Sequence, residues 1–428
     1  MFTASKVYKL TLNITGNLTI NDTATIAVKK ENGVDRGGFK RDYLATGDLT
    51  QITDLNNLDD YQFWIDPSAT TVDWNLRNGG IGCGSPGIYR SGETNTVKSF
   101  GDYRNPNTPG QGGSSHTYGV GGGILNFTVN GSCALNTTNV AIDASGWRGG
   151  GGGSINGECS SFTGTAGVNL IRANGSSYMD YFWVQTAGSG GGCIKLESTG
   201  NISTYTNGLD FPEDATSLAS IKTAITAFGG DGKNNSGGTR VRGHGGAGTI
   251  VLKNSGSTNG VLLVVNNKSD YDPMDGKTFF PITDVNGGIV NDSDPATNTI
   301  RIPTNPLATD FEKLPNYFQG SSIKLWQTGT GEPLSTAAPT PIYNISSNDQ
   351  RNFVLASVPP VITNDYNYRF LYYLDDLIIQ GSANVDFQTG DIILDSCPIA
   401  TAAGINVVDA TSTLSRNTTE TSCATIGP

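Results

Sequence analysis

Three stretches of this chain share one arrangement: a cluster of glycines stops and an alternating, strand-like run begins at once. They are Gly119–Val129 (GVGGGILNFTV), Gly188–Leu196 (GSGGGCIKL) and Gly243–Leu252 (GHGGAGTIVL). Two more glycine groups follow short β-type pieces, in NTTNVAIDASGWRGGGGG and in ITAFGGDG. Glycine suits tight corners at positive φ, and it suits backbones stacked too closely for a Cβ. The three starts lie roughly 55 to 70 residues apart, so this is no strict short repeat. Loops of uneven length between successive coils would produce such spacing.

The flanking pieces have the same character. Val7–Lys30 contains LTLNI, NLTI and TIAVK, dense in β-branched residues and too closely spaced for helical crossovers. From Ser269 glycine thins out, and segments such as NYFQGSSIKLWQTG and YNYRFLYYL read as antiparallel strands. Asp375–Leu394 then returns to the pattern of short strand, glycine, short strand. The expected fold is all-β: a parallel β-helix or solenoid with long glycine-rich loops, plus a smaller antiparallel β domain or insertion. Residues 1–268 form the solenoid, 269–373 the insertion, and 374–428 a return to the solenoid with a disulfide-closed cap. One helix is expected, Asp214–Phe228, with Leu218, Ile221 and Ile225 at helical spacing. Residues 32–118 are long and polar, with a strand expected at Tyr61–Ile65, and read as ordered loops on the solenoid's flank.

Charge removes some function classes. The formal net charge is −11, and no basic cluster exists to neutralise a phosphate backbone or an anionic membrane. No apolar run reaches membrane-spanning length. MFTASKVYKL lacks a signal peptide's apolar segment, so the chain is expected to be a processed form or part of a longer secreted protein. The six cysteines include no CxxC pair, which argues against zinc and for disulfides in an oxidising compartment. Cys397 and Cys423 are expected to pair. They would close a terminal loop of roughly 25 residues, worth about 3.5 kcal/mol in the chain-entropy account. The partners of Cys83, Cys133, Cys159 and Cys193 stay open. Asn-x-Ser/Thr sequons at Asn13, Asn17, Asn126, Asn136, Asn201, Asn344 and Asn417 are glycosylation candidates for an extracellular chain.

Three segments carry a resemblance: LTLNITGNLTI, GDYRNPNTPGQGG (Gly101–Gly113) and GHGGAGTIVLKNSGSTNGVLLVVNN (Gly243–Asn267). Together they resemble the glycine-rich parallel β-helix regions of large secreted or surface proteins of adhesin-like type. The likeness covers most of residues 1–267 and, more weakly, Asp375–Leu394. It implies the fold and an adhesive or structural role, and it brings no catalytic motif.

Candidate chemistry is sparse. The two histidines, His116 and His244, sit in glycine loops away from any nucleophile elbow, and read as loop residues packed on backbone. The glycine loops lead into strands and contain no phosphate-binding fingerprint. Asp270, Asp272 and Asp275 in DYDPMDG form an acidic turn that would accommodate calcium, the one candidate cofactor, although a solvated turn explains it as well. In YMDYFWV, an extended strand would place Met179, Tyr181 and Trp183 on one face. Tyr181 and Trp183 are then a candidate contact surface for sugars or a second subunit, against the alternative of a core strand. The functional expectation is a non-enzymatic extracellular protein, a subunit of a surface fibre, sheath or appendage. Its partners would be further copies of itself, other surface proteins or glycans. The alternatives are a polysaccharide lyase or hydrolase of the β-helix type and a monomeric carbohydrate-binding module.

Overall fold

A computed structural model describes residues 9–28, 80, 82–88, 102–110, 121–164, 170–181, 184–199, 224–234, 239, 241–255, 259–269, 272–280, 287–290, 292–301, 318–330, 342–348, 352–361, 366–387, 391–394, 407–408 and 413–415. Among these the chain is all-β, with no helical element. The order begins with β1 (Lys9–Ile14), β2 (Leu18–Asp22), β3 (Ile26–Ala27) and the long β4 (Ile124–Thr137). Next come β5 (Ile142–Asp143), β6 (Ser154–Gly164), β7 (Ile171–Arg172), β8 (Met179–Tyr181), β9 (Val184–Thr186) and β10 (Cys193–Ser198). Then β11 (Ile225–Thr226), β12 (Thr249–Lys253), β13 (Val261–Val265) and β14 (Thr278–Phe279) follow. The next group is β15 (Gly287–Val290), β16 (Asp292–Asp294), β17 (Thr299–Arg301), β18 (Ser322–Gln327), β19 (Ile342–Asn348), β20 (Asn352–Leu355) and β21 (Tyr366–Leu374). The order ends with β22 (Asp376–Gln380), β23 (Asn384–Asp386), β24 (Asp391–Leu394), β25 (Val407–Val408) and β26 (Thr413–Ser415).

One sheet runs β1-β4-β6-β10-β12-β13-β22-β25, with β2 also paired to β4. Every pairing in it is parallel except β12–β13. Between visits to this sheet the chain passes through two small parallel sheets, β11-β7-β5-β3 and β14-β23-β26. The register stacks like on like. Leu10, Leu125, Ile155, Ile194, Ile250, Leu263 and Ile378 form one row across the long sheet. Ile26, Ile142, Ile171 and Ile225 form another across the short one. The two rows belong to a single apolar core. Each buried Leu or Ile contributes about 2 kcal/mol by leaving water. A slip of one residue would turn a whole row to the opposite face. Gly157 lies in register with Phe127, and a Cβ there would collide with the Phe127 ring, so this glycine makes room for an aromatic.

Strands β15 to β21 form an antiparallel, nearly closed sheet, to which β24 adds in parallel against β21. Its aromatics, Phe318, Phe353, Tyr368 and Phe370, pack edge-on and tilted at 5.2 to 6.2 Å. The same core cluster continues into the other face of the long sheet through Ile124, Val251, Leu262 and Leu377. That explains why β12 and β13 are apolar on both faces. Segment 102–110 joins the two parts. Tyr103 is buried between Phe280 (5.5 Å) and Tyr372 (6.3 Å). Arg104 pairs with Asp102 at 2.9 Å and donates to Ser321 Oγ at 2.7 Å. Burial opposes the guanidinium charge, but Asp102, together with Tyr103 and Tyr372, more than offsets this and raises the Arg104 pKa. Burial pushes the Tyr103 hydroxyl up as well.

The glycine clusters are not chiefly corners. The left-handed glycines among the described residues are Gly149, Gly260, Gly320, Gly329 and Gly381, and most of the clusters lie outside that set. The rest form extended segments packed side by side, and their amides point to different neighbours with a period of three. Gly188 and Gly191 donate to Gly243 and Gly246, Ser189 and Gly192 to Ser176 and Ala173, and Gly190 and Cys193 to Gly80 and Gly153, all at 2.7–3.1 Å. The next segment repeats this. Gly243 and Gly246 donate to Ile88 and Ser85, and Gly245 and Gly248 to Gly230 and Ala227. Period three is the periodicity of a polyproline-II chain, not of a strand. Such a chain is met by neighbours from three directions. A Cβ on Gly190 would collide with the carbonyl of Gly84, and one on Gly248 with that of Gly192.

The disulfides are Cys83–Cys193 (Cα–Cα 5.5 Å) and Cys133–Cys159 (Cα–Cα 6.0 Å). The first ties segment 82–88 to β10 and the second ties β4 to β6. The expected Cys397–Cys423 pair lies outside the described residues, as does most of the expected helix. The helix's end is corrected: Ile225 and Thr226 are strand β11, because Ile225 completes the isoleucine row. The Tyr61–Ile65 strand is also outside the described residues. No helix among the described residues is long and apolar enough to cross a membrane.

Gly190→Ala should cost about 3 kcal/mol in a denaturant melt, because the opposing carbonyl belongs to backbone that cannot move aside. Gly16→Ala, with open space around its Cβ, should change stability by no more than ~0.5 kcal/mol. Non-reducing peptide mapping should recover the 83–193 and 133–159 bridges. Removing the second, which closes a 26-residue separation, should cost about 3.5 kcal/mol.

Candidate interaction surface at the glycine turns

One turn and two neighbouring segments of the glycine bundle carry large or charged side chains. The turn is Trp147–Arg148–Gly149–Gly150, closed by the Gly150 amide donating to the Trp147 carbonyl at 3.1 Å. Arg148 (φ 47°) and Gly149 (φ 88°) are both left-handed, as in a type I′ turn. An arginine at such a φ is strained, and the same position would take glycine without steric strain. Its guanidinium lies 4.1 Å from the Trp147 ring centroid, a cation–π contact.

Segment 174–178 packs beside this turn through the Ser176 amide and the Gly150 carbonyl (3.0 Å). It carries Tyr178, 39 % exposed. The chain then makes the β8–β9 hairpin, a two-stranded sheet of its own. Tyr181 is opposite Val184 in the register. The run YMDYFWV therefore folds back after Tyr181 and is not the single extended strand expected of it. Tyr181 stands at the hairpin's turn, and Trp183 lies outside the described residues.

Segment 229–234 joins segment 174–178 where the Tyr178 amide donates to the Asp231 carbonyl (2.7 Å). Lys233 stands 5.9 Å from the Tyr178 ring centroid. The Val241 amide donates to the Lys233 carbonyl at 2.9 Å, and Val241 is 37 % exposed. Asp231 accepts from Lys268 (2.5 Å) and from Ser177 Oγ (3.2 Å). Partial burial would raise the Asp231 carboxyl, but Lys268 and, more weakly, His244 and Ser177 hold it below its ordinary value.

His244 is part of the bundle's framework. Its Nδ1 accepts the Gly232 amide at 2.7 Å, and its own amide donates to Asp275 Oδ1 at 2.7 Å. The second Asp275 oxygen accepts the Asp272 amide, and Asp272 Oδ1 accepts the Met274 amide, both at 2.9 Å. The acidic turn thus directs these carboxylate oxygens at backbone amides. Among the described residues no group of three or more His, Cys, Asp or Glu is arranged to hold a metal ion. Asp270 and His116 lie outside them.

Of the sequons, Asn13, Asn17, Asn136 and Asn344 are exposed and Asn126 is half-buried. Asn17 Oδ1 accepts the Ser132 amide, Asn136 donates to Asn21 Oδ1, Asn126 to Asn107 Oδ1, and Asn344 Oδ1 accepts from Ser322. Asn201 and Asn417 lie outside the described residues. Sequence reasoning missed Trp147, Arg148, Tyr178 and Lys233 as a group. The one available signal was the interruption of a glycine run by Trp-Arg. The chain matches no family model, no curated protein and no solved structure.

Asp231 gives a pH test. A carboxyl depressed on folding contributes stability that is present above its unfolded pKa and lost as pH falls through its folded pKa. The contribution is small, because the side chain is 61 % exposed. Carboxyl NMR should find Asp231 titrating below an ordinary aspartate, and Lys268→Ala should move that midpoint up.

Proposed function

We propose that this is an extracellular adhesive protein that acts through the end of its glycine bundle. On this reading, the alternation between the long sheet and the short parallel sheets is the winding of a β-solenoid. The antiparallel β12–β13 step and the β15–β21 sheet are additions to it. Two disulfides within the described residues are compatible with an oxidising, secreted setting.

One observation carries the reading. Two aromatic–cation pairs, Trp147–Arg148 and Tyr178–Lys233, stand on neighbouring segments of a framework held by backbone hydrogen bonds. Aromatic side chains backed by rigid structure lose little entropy when they meet a partner, and this favours adhesion through a small surface.

The test is binding to a glycan array and to intact cell surfaces. The expected outcome is saturable attachment that falls about tenfold or more in Trp147→Ala/Tyr178→Ala, with an unchanged melting temperature. Attachment untouched by that double substitution would refute this surface as the adhesive one. Regular filaments in negative-stain images, without glycan or cell attachment, would make self-assembly the function instead.

A further inference from the structure

We infer that Asn17 is an attachment point for an N-linked glycan; this rests on the extracellular reading above. The fold holds one end of its side chain and leaves the other without a protein partner. Asn17 stands in the bend between β1 and β2 and is exposed. Its Oδ1 accepts the Ser132 amide at 2.9 Å. That amide lies at the irregular step of β4, where the pairing with β6 shifts register between Val129 and Ser132. Gly131 completes the seat, because a Cβ there would collide with Asn17 Oδ1. The seat uses an oxygen alone, and aspartate would supply one equally well. The amide nitrogen, Nδ2, has no hydrogen-bond partner among the described residues. A carboxamide is planar, so fixing Oδ1 on Ser132 fixes the direction of Nδ2 as well. Thr19, also exposed, completes the acceptor pattern Asn17-Leu18-Thr19.

The other sequons singled out above are held differently where they fall within the described residues. Asn136 donates Nδ2 to Asn21 Oδ1, its partner in the β2–β4 register. Asn126 is half-buried and donates Nδ2 to Asn107 Oδ1. A sugar on either nitrogen would crowd that contact. Asn344 lies within β19, and the hydroxyl of its Ser346 donates to the Val354 carbonyl at 3.0 Å. Asn13 lies within β1, where no group seats its oxygen. Attachment joins Nδ2 to the anomeric carbon of a sugar carried on a polyprenyl diphosphate. The new C–N bond replaces the sugar's C–O bond to phosphate, Nδ2 gives up one proton, and the lipid diphosphate leaves.

The test takes the full chain, disulfides intact, from the surface or medium of the cells that produce it. Peptide N-glycosidase in heavy-oxygen water turns each glycosylated asparagine into a labelled aspartate, and tandem mass spectrometry places the label. The expected result is label at Asn17 and none at Asn126 or Asn136. Thr19→Ala should lose this glycan although it breaks no hydrogen bond within the described fold. Asn17→Asp should lose it too and melt with the enzymatically deglycosylated parent, since aspartate still accepts the Ser132 amide. Asn17→Ala should melt lower than either. An unlabelled Asn17 in protein recovered outside the cell would overturn the proposal and leave the extracellular reading standing. Label at Asn13 or Asn136 in its place, or a glycan kept in Thr19→Ala, would overturn the assignment to Asn17. Equal melting of Asn17→Ala and Asn17→Asp would remove the seat on which the assignment rests. Recovery from the cell interior alone would remove both readings.

Discussion

The close approach of glycine backbones, joined by hydrogen bonds that recur every third residue, is the constraint on which the rest of this protein depends. A strand satisfies its amides on two sides. A three-fold extended segment satisfies them on three, so each glycine segment is a hub for several others. Gly188–Cys193 is bonded in turn to segments around 243–246, 173–176, 80 and 153. Those contacts span most of the sequence from Gly80 to Gly248. The cost is the backbone entropy of ordering glycine, which exceeds that of any other residue. It is offset by buried backbone hydrogen bonds and by the aliphatic rows on either side.

Those rows and the glycine segments are two parts of one chain path. Each glycine segment leads into a strand of the long sheet, at Ile124, Ser154, Cys193 and Thr249. The bundle therefore sets where each strand starts, and the Leu/Ile rows lock the register from there. The Cys83–Cys193 bridge stands at this junction. Tyr103 and Arg104 fasten the same region to the antiparallel sheet. The consequence for function is stiffness at the turn end. Trp147, Arg148 and Tyr178 sit one or two residues from backbone groups already fixed in the bundle, so they are presented rather than left to search.

Much of the fold was legible in the sequence. β-branched alternation located β1, β2, β4, β10 and β12, and the aromatic-rich stretch marked the antiparallel strands. Where the reading failed, a tertiary contact outweighed a local pattern. Leu218, Ile221 and Ile225 have helical spacing, but Ile225 belongs to a row of isoleucines from three other strands. YMDYFWV alternates like one strand, but Met179–Tyr181 pairs with the strand that follows it, Val184–Thr186. The glycine clusters were recognised as unusual, while their period-three bonding was not, because glycine carries no side chain to reveal a period. The candidate site was the least legible part. Trp147 and Tyr178 are 31 positions apart and Lys233 a further 55, and nothing local relates them.

The sequence by itself determined that the chain is all-β in character, that its glycines mark places where backbones crowd, and that its cysteines suit disulfides. These follow from residue-level physics: β-branched propensity, the missing Cβ, and thiol chemistry. Only the tertiary structure decided which backbones crowd together, which cysteines pair, and which side chains share the turn end. Those are matters of distance between segments remote in sequence. They were settled by a register that a single chain can satisfy only when all its rows are stacked at once.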